Sequence, residues 1–206
     1  MLKLQILYAV SALAAAAEPL IAQSTPGYTQ ADVHFMQSMI GHHAQALEMV
    51  ALIPSRTSRE DIRALGKRIE VSQKDEIALM QQWLRDRHQE IPSIGMSHVQ
   101  DAGGHSMNMP AMAISHTLMP GMLTPQQMTD LANAKAAEFD ILFLKGMIQH
   151  HEGALAMVAQ LLGTTGSGQE PEVFRFAAEV DADQRAEIAR MNALLNSLQP
   201  SKPLAH

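Results

Sequence analysis

Residues 32–50, DVHFMQSMIGHHAQALEMV, and residues 140–158, DILFLKGMIQHHEGALAMV, agree at ten of nineteen positions with a constant offset of 108. The shared letters include both halves of each His-His pair and the methionines on either side. A weaker echo follows, in which QKDEIALMQQWL from Gln73 resembles QRAEIARMNALL from Gln184. There Glu76-Ile77 stands against Glu187-Ile188, and Met80 against Met191. A structural unit written twice rarely buries its apolar face alone. The duplication therefore demands a fold in which one copy packs on the other.

The period within each copy is helical. After Thr29, with Asp32 three residues on as in a capping box, apolar or candidate core positions recur at Phe35, Met39, His42, Ala46, Met49 and Ile53. Pro54 is expected to end this helix. A second helix is expected after Ser58, running to about His88. Thr124-Pro125-Gln126-Gln127 combines an N-cap threonine, proline at the first position and glutamine at the third, a strong helix start. That third region should run to about Leu162, with room for a break near 133–135. A fourth helix should run from about Pro171 to Leu198. No alternating run argues for a strand. The expectation is an all-α, four-helix bundle made of two duplicated hairpins, with repeat one at 29–90 and repeat two at 124–198. Residues 91–123 would be the Met/His-rich crossover loop between them, and 199–206 a tail.

The first residues, MLKLQILYAVSALAAAAEPLIAQ, set one lysine before an alanine-rich apolar run with a small-residue boundary near Ala17 or Ala22. That is a secretory signal pattern, too short for a comfortable membrane span. Residues 1–22 are thus read as a signal peptide, which places the chain in a periplasm or outside the cell, with no membrane span in the mature chain. A formal charge of −6 without a basic stripe argues against nucleic acid as a partner. There is no cysteine, and hence no disulfide or thiolate ligand, whereas methionines number 15 and histidines 10.

On a helix Met39 and His43 share a face, as do His42 and Met49, and likewise Met147/His151 and His150/Met157. Adjacent histidines diverge by about 100°, so one of each pair should face the bundle centre and the other a neighbouring helix or a second metal position. Buried imidazoles need partners. Glu76 and Glu187 are available on the partner helices as supporting groups, and Asp32 and Asp140, matched across the repeats, are placed beside the site in the same role. Hydrogen bonding alone would explain one such histidine. Four, in two symmetric copies bracketed by methionine, point to a metal. Thioether sulfur with imidazole favours copper, as Cu(I) or Cu(II), with silver as a chemical mimic. Affinity should fall as pH drops through the ordinary imidazole pKa of about 6.5.

The crossover adds His105, Met107, Met109, Met112, His116, Met119 and Met122 as accessory metal ligands. Core filling, the usual role of methionine, suits a Pro/Gly/Ser-rich stretch poorly. No glutamate has histidine three residues later, which argues against di-iron chemistry. No Ser or Cys nucleophile arrangement, zinc-protease helix or phosphate loop is legible, so no enzymatic activity is expected. Two other readings stay open: an electron-transfer bundle holding non-covalent haem through one His and one Met, and a metal-independent interaction protein.

The doubled pattern Phe35-x-x-x-Met39-x-x-His42-His43-x-x-Ala46-x-x-Met49, its copy at 143–157, and MPGMLTPQQM at 119–128 resemble the bacterial domain-of-unknown-function family 305. The resemblance covers roughly residues 28–198. It implies an exported protein of ferritin-like fold, similar to periplasmic copper-binding proteins that contribute to copper tolerance, with other copper-handling proteins as partners. It also implies Met39, His42, His43, Met49, Met147, His150, His151 and Met157 as the site. The repeats differ just before their histidines, Gly41 against Gln149, and the glycine is expected to loosen the first helix.

Overall fold

In the computed structural model, residues 27–93 and 118–198 are described. The signal pattern, the tail, and His105, Met107, Met109, Met112 and His116 lie outside them. Five helices follow in order: α1 (Gln30–Arg56), α2 (Glu60–Asp86), α3 (Pro125–Asn133), α4 (Ala136–Gly163) and α5 (Pro171–Leu198). No strand occurs among the described residues. The architecture is the expected all-α bundle, with α1–α2 and α4–α5 as the two hairpins and α3 as a short lead-in.

Local signals fix the helix ends. Thr29 and Asp32 form a full capping box on α1, and Thr124 with Gln127 form another on α3, where Pro125 takes the first position. The break between α3 and α4 falls at Ala134–Lys135. Pro54 does not stop α1, which continues to Arg56. A proline in the last turn forfeits one main-chain hydrogen bond, and its pyrrolidine ring is accommodated where the helix is already finishing. Gly41 does not interrupt α1 either. The helix is continuous through it, and packing on both sides offsets the roughly 1 kcal/mol propensity cost of glycine.

Helices α1 and α4 carry the repeated motif and pack on each other through the centre, each backed by its own hairpin partner. The methionines show how they cross. Met39 and Met157 belong to one apolar cluster, while Met49 and Met147 belong to the other. The early part of α1 thus lies beside the late part of α4, and the reverse, so the two helices are antiparallel about a pseudo-twofold axis. Aromatic and aliphatic side chains close each end, with Phe35 edge-on to Phe176 at 6.3 Å and Phe139 stacked on Phe143 at 5.8 Å. Polar ties across α2 and α5 reinforce this. Arg68 pairs with Glu187 at 3.1 Å, and Arg87 lies over the Trp83 ring and pairs with Glu170.

Candidate metal centre

All four motif histidines are buried, at 0–1% exposure, in the layer between the two apolar clusters. His42 and His150, equivalent residues of the two repeats, meet at the axis with ring centroids 3.8 Å apart. His43 and His151 diverge from them, their ring centroids 6.4 and 6.2 Å from His42 and His150. One histidine of each pair therefore faces the bundle centre.

Each anchored ring is held through Nε2. His42 Nε2 donates to the carbonyl of Pro120 at 2.9 Å, and His150 Nε2 to the carbonyl of His42 at 2.9 Å. His43 Nε2 donates to the carboxylate of Glu76, whose other oxygen accepts from Ser72 Oγ at 2.9 Å. A carbonyl or carboxylate can only accept, so these three rings carry their proton on Nε2 and a lone pair on Nδ1. The Nδ1 atoms of His42, His43, His150 and His151 are all buried with no hydrogen-bond partner. A buried acceptor without a partner costs about 1–3 kcal/mol and calls for an explanation. Three such acceptors in one layer, with the Nδ1 of His151 beside them, fit a soft or borderline metal ion, because ligating histidines characteristically donate their other ring N–H to a carboxylate or main-chain carbonyl.

Burial also keeps His42, His150 and His151 neutral. His42 is lowered to about 4, first by loss of hydration and then by the nearby His43 charge, against a weaker pull from the Pro120 carbonyl. His151 is lowered to about 3 by burial and by the charges of His43 and His42. The Met147 carbonyl, one turn back, opposes this without closing a hydrogen bond on Nδ1. His150 is pushed well below its ordinary value by burial and by His42, His151 and His43.

The remaining expected residues divide. Met39, Met49 and Met147 are fully buried and Met157 is 7% exposed, two on each side of the histidine layer rather than gathered at one point. Glu76 accepts from His43 Nε2. Glu187 does not mirror it, because one of its oxygens takes Arg68 and Arg190, each at 3.1 Å, and the other is buried unpaired. Asp32 and Asp140 are not supporting groups of the histidine layer. Asp32 completes the α1 cap and accepts from Gly168 N at 2.7 Å, and Asp140 lies 3.9 Å from Arg59. Each stands ten residues before its nearer histidine, about 15 Å along the helix. Among the described residues no group of three or more His, Asp or Glu side chains is arranged to enclose an ion. Ligation through Nδ1 therefore requires ring rotation or thioether donors. The 3.8 Å between His42 and His150 leaves no room for a porphyrin between those rings.

Three glutamines escaped the sequence reading as functional groups. Gln45 clamps Leu123 at both main-chain atoms, donating to its carbonyl at 3.0 Å and accepting from its N–H at 2.7 Å. This fastens the turn whose Pro120 holds His42. Gln73 and Gln184, matched across the repeats, are each 2% exposed with an unpaired Oε1. A polar residue repeated on an apolar helical face was the available signal for Gln73 and Gln184. Nothing local marks Gln45, whose partner is 78 residues away.

A family model described as "Domain of unknown function (DUF305)" matches residues 32–195. No curated protein matches the chain. Among solved structures, a DUF305 fragment from Deinococcus radiodurans is 29% identical, with a TM-score of 0.66, covering 84% of this chain and 99% of that one. A DUF305 protein from Streptomyces coelicolor, described as a candidate secreted protein, is 27% identical, with a TM-score of 0.64, covering 85% and 97%. CopM in its Cu(II)-bound form is 24% identical, with a TM-score of 0.60, covering 82% and 97%. At that identity the likeness to CopM is one of fold.

Proposed function

We propose, because this chain belongs to the DUF305 family and buries four imidazoles with unpaired Nδ1 atoms in one layer, that it is an exported copper-binding protein. It takes up Cu(I), and Cu(II) in an oxidising compartment, with silver as a mimic, to sequester the metal or pass it to other copper-handling proteins. His42, His43, His150 and His151 are the imidazole donors, and Met39, Met49, Met147 and Met157 supply thioethers from the two flanking clusters. The single observation that carries the reading is the set of unpaired Nδ1 atoms. Support from outside the chain comes from CopM, of like fold and solved with Cu(II), Cu(I) and Ag. The N-terminal signal pattern, the family member described as a candidate secreted protein, and the lack of any described helix long and apolar enough to cross a membrane agree with export.

Copper ions supply a soft centre that accepts nitrogen and sulfur lone pairs. The chain's own residues do the rest. Pro120, His42 and Glu76 hold the Nε2 protons, burial keeps the rings of His42, His150 and His151 uncharged, and the apolar clusters exclude water. The test is a Cu(I) competition titration of the native chain and of a variant with all four histidines changed to glutamine. The expected result is loss of the tightest binding in the variant. If stoichiometry and affinity survive unchanged, the assignment to the bundle is wrong and the Met/His-rich crossover becomes the candidate.

A further inference from the structure

A cleft of about 270 Å³ opens between α1, α4 and the turn that begins at Met119. Its walls include His34 from α1, Met119 from the turn and Met157 from α4, set among Phe35, Pro120 and Leu161. No carboxylate and no cationic Lys or Arg lines it; the other polar wall groups are neutral. Ser38 Oγ lies 3.5 Å from His34 Nδ1, which leaves Nε2 as the ring nitrogen without a hydrogen bond among the described residues.

Comparison of the repeats argues against simple core filling. Met157 reaches the cleft, whereas its counterpart Met49 is fully buried, its methyl 3.3 Å from where a Cβ on Gly146 would lie. His34 has Leu142 as its counterpart, partly buried against the second apolar cluster. The turn that provides Met119 has no counterpart beside the other repeat among the described residues. Imidazole and thioether donors thus meet in this cleft, where the equivalent positions of the other repeat hold Leu142 and the fully buried Met49. One imidazole nitrogen and two thioether sulfurs suit a soft monovalent cation, since no counter-charge is present to offset the burial of a dication.

We propose that His34, Met119 and Met157 form an outer site for Cu(I) or Ag(I), through which the ion reaches the buried histidines. Pro120 belongs to both places, lining the cleft and holding His42 Nε2 at 2.9 Å. Met157 stands seven residues from His150, two turns along α4, or about 10 Å. As an entry route the proposal rests on the copper reading above; as a binding site it stands on its own residues.

The test is titration of the full chain, 13C-labelled at the methionine methyls and 15N-labelled at histidine, with silver ion. Early shifts are expected at the Met119 and Met157 methyls and the His34 ring. His34→Leu and Met119→Leu should each weaken that step at least about tenfold and together remove one equivalent. Silent Met119 and Met157 methyls through two equivalents would overturn the site, as would unchanged stoichiometry in the double variant. The methyl signals of the unaltered chain decide the matter even where a variant folds poorly. If the outer groups respond and the rings of His42, His43, His150 and His151 do not, the outer site holds and the buried one fails; the reverse pattern separates them the other way.

Discussion

His150 lies against His42 with ring centroids 3.8 Å apart, and its Nε2 donates to the main-chain carbonyl of His42 at 2.9 Å. Exact twofold symmetry would return that bond, from His42 Nε2 to the carbonyl of His150. Instead the His42 proton goes to Pro120, in a turn with no counterpart among the described residues. The two copies share a sequence but not a hydrogen-bonding pattern, and several measurable asymmetries follow.

The first concerns the glutamates. Glu76→Ala leaves the buried His43 Nε2–H without an acceptor and should cost about 1–3 kcal/mol. Glu187→Ala removes ion pairs to Arg68 and Arg190, both half-exposed, and should cost about 1 kcal/mol or less. Urea unfolding of the two variants measures the difference. Equal losses would mean that the two glutamates play one role.

A second asymmetry separates Asp32 from Asp140. Asp32 accepts from Thr29 N, Thr29 Oγ1 and Gly168 N at 2.7–2.9 Å, tying the start of α1 to the loop before α5. Asp32→Ala should destabilise by about 2–4 kcal/mol. Asp140 has one buried unpaired oxygen and a distant Arg59, so Asp140→Ala should cost clearly less. Thermal unfolding followed by circular dichroism compares them.

The turn over His42 is seated on glycine. A Cβ on Gly153 would fall 2.0 Å from the Pro120 carbonyl oxygen and 2.6 Å from Gly121 Cα, and Gly121 itself has φ +75°. Gly153→Ala should displace the turn, cost about 1–3 kcal/mol and shift the His42 Nε2–H resonance as its acceptor moves. Gly163→Ala, with nothing within 4 Å, is the control and should be neutral or slightly stabilising. An unmoved His42 resonance in the Gly153 variant would show that Pro120 does not hold the ring.

Acid should unfold the metal-free chain early. His42 sits at about 4 and His151 at about 3 when folded, against about 6.5 when unfolded. The unfolded state therefore takes up protons first as pH falls below about 6.5, and stability drops from there down through the folded values. His42 alone accounts for a loss on the order of 3 kcal/mol by pH 4. Unfolding midpoints between pH 7.5 and 4 measure this, and His42→Gln should flatten the profile. On the copper reading proposed above, affinity should follow the same shift. The sequence alone puts its decline near pH 6.5, whereas burial moves the decline at these rings toward pH 4.

Much of this was legible before any fold was known. Helical spacing, the caps at Thr29 and Thr124, the break near residue 134 and the limits of α5 are written locally, because they depend on groups three or four residues apart. The burial of both His-His pairs followed from their place on an apolar face. Pro54 misled because a breaker signal does not say whether it falls within a last turn. The sequence also could not divide Glu76 from Glu187, part Met49 from Met157, or find the Gln45 clamp, since each depends on a partner far along the chain. A duplicated sequence determines two equal hairpins and their antiparallel docking. Only the tertiary structure decides which copy receives the turn at 119–123, because one segment lying beside a twofold axis can bind only one of two equivalent histidines.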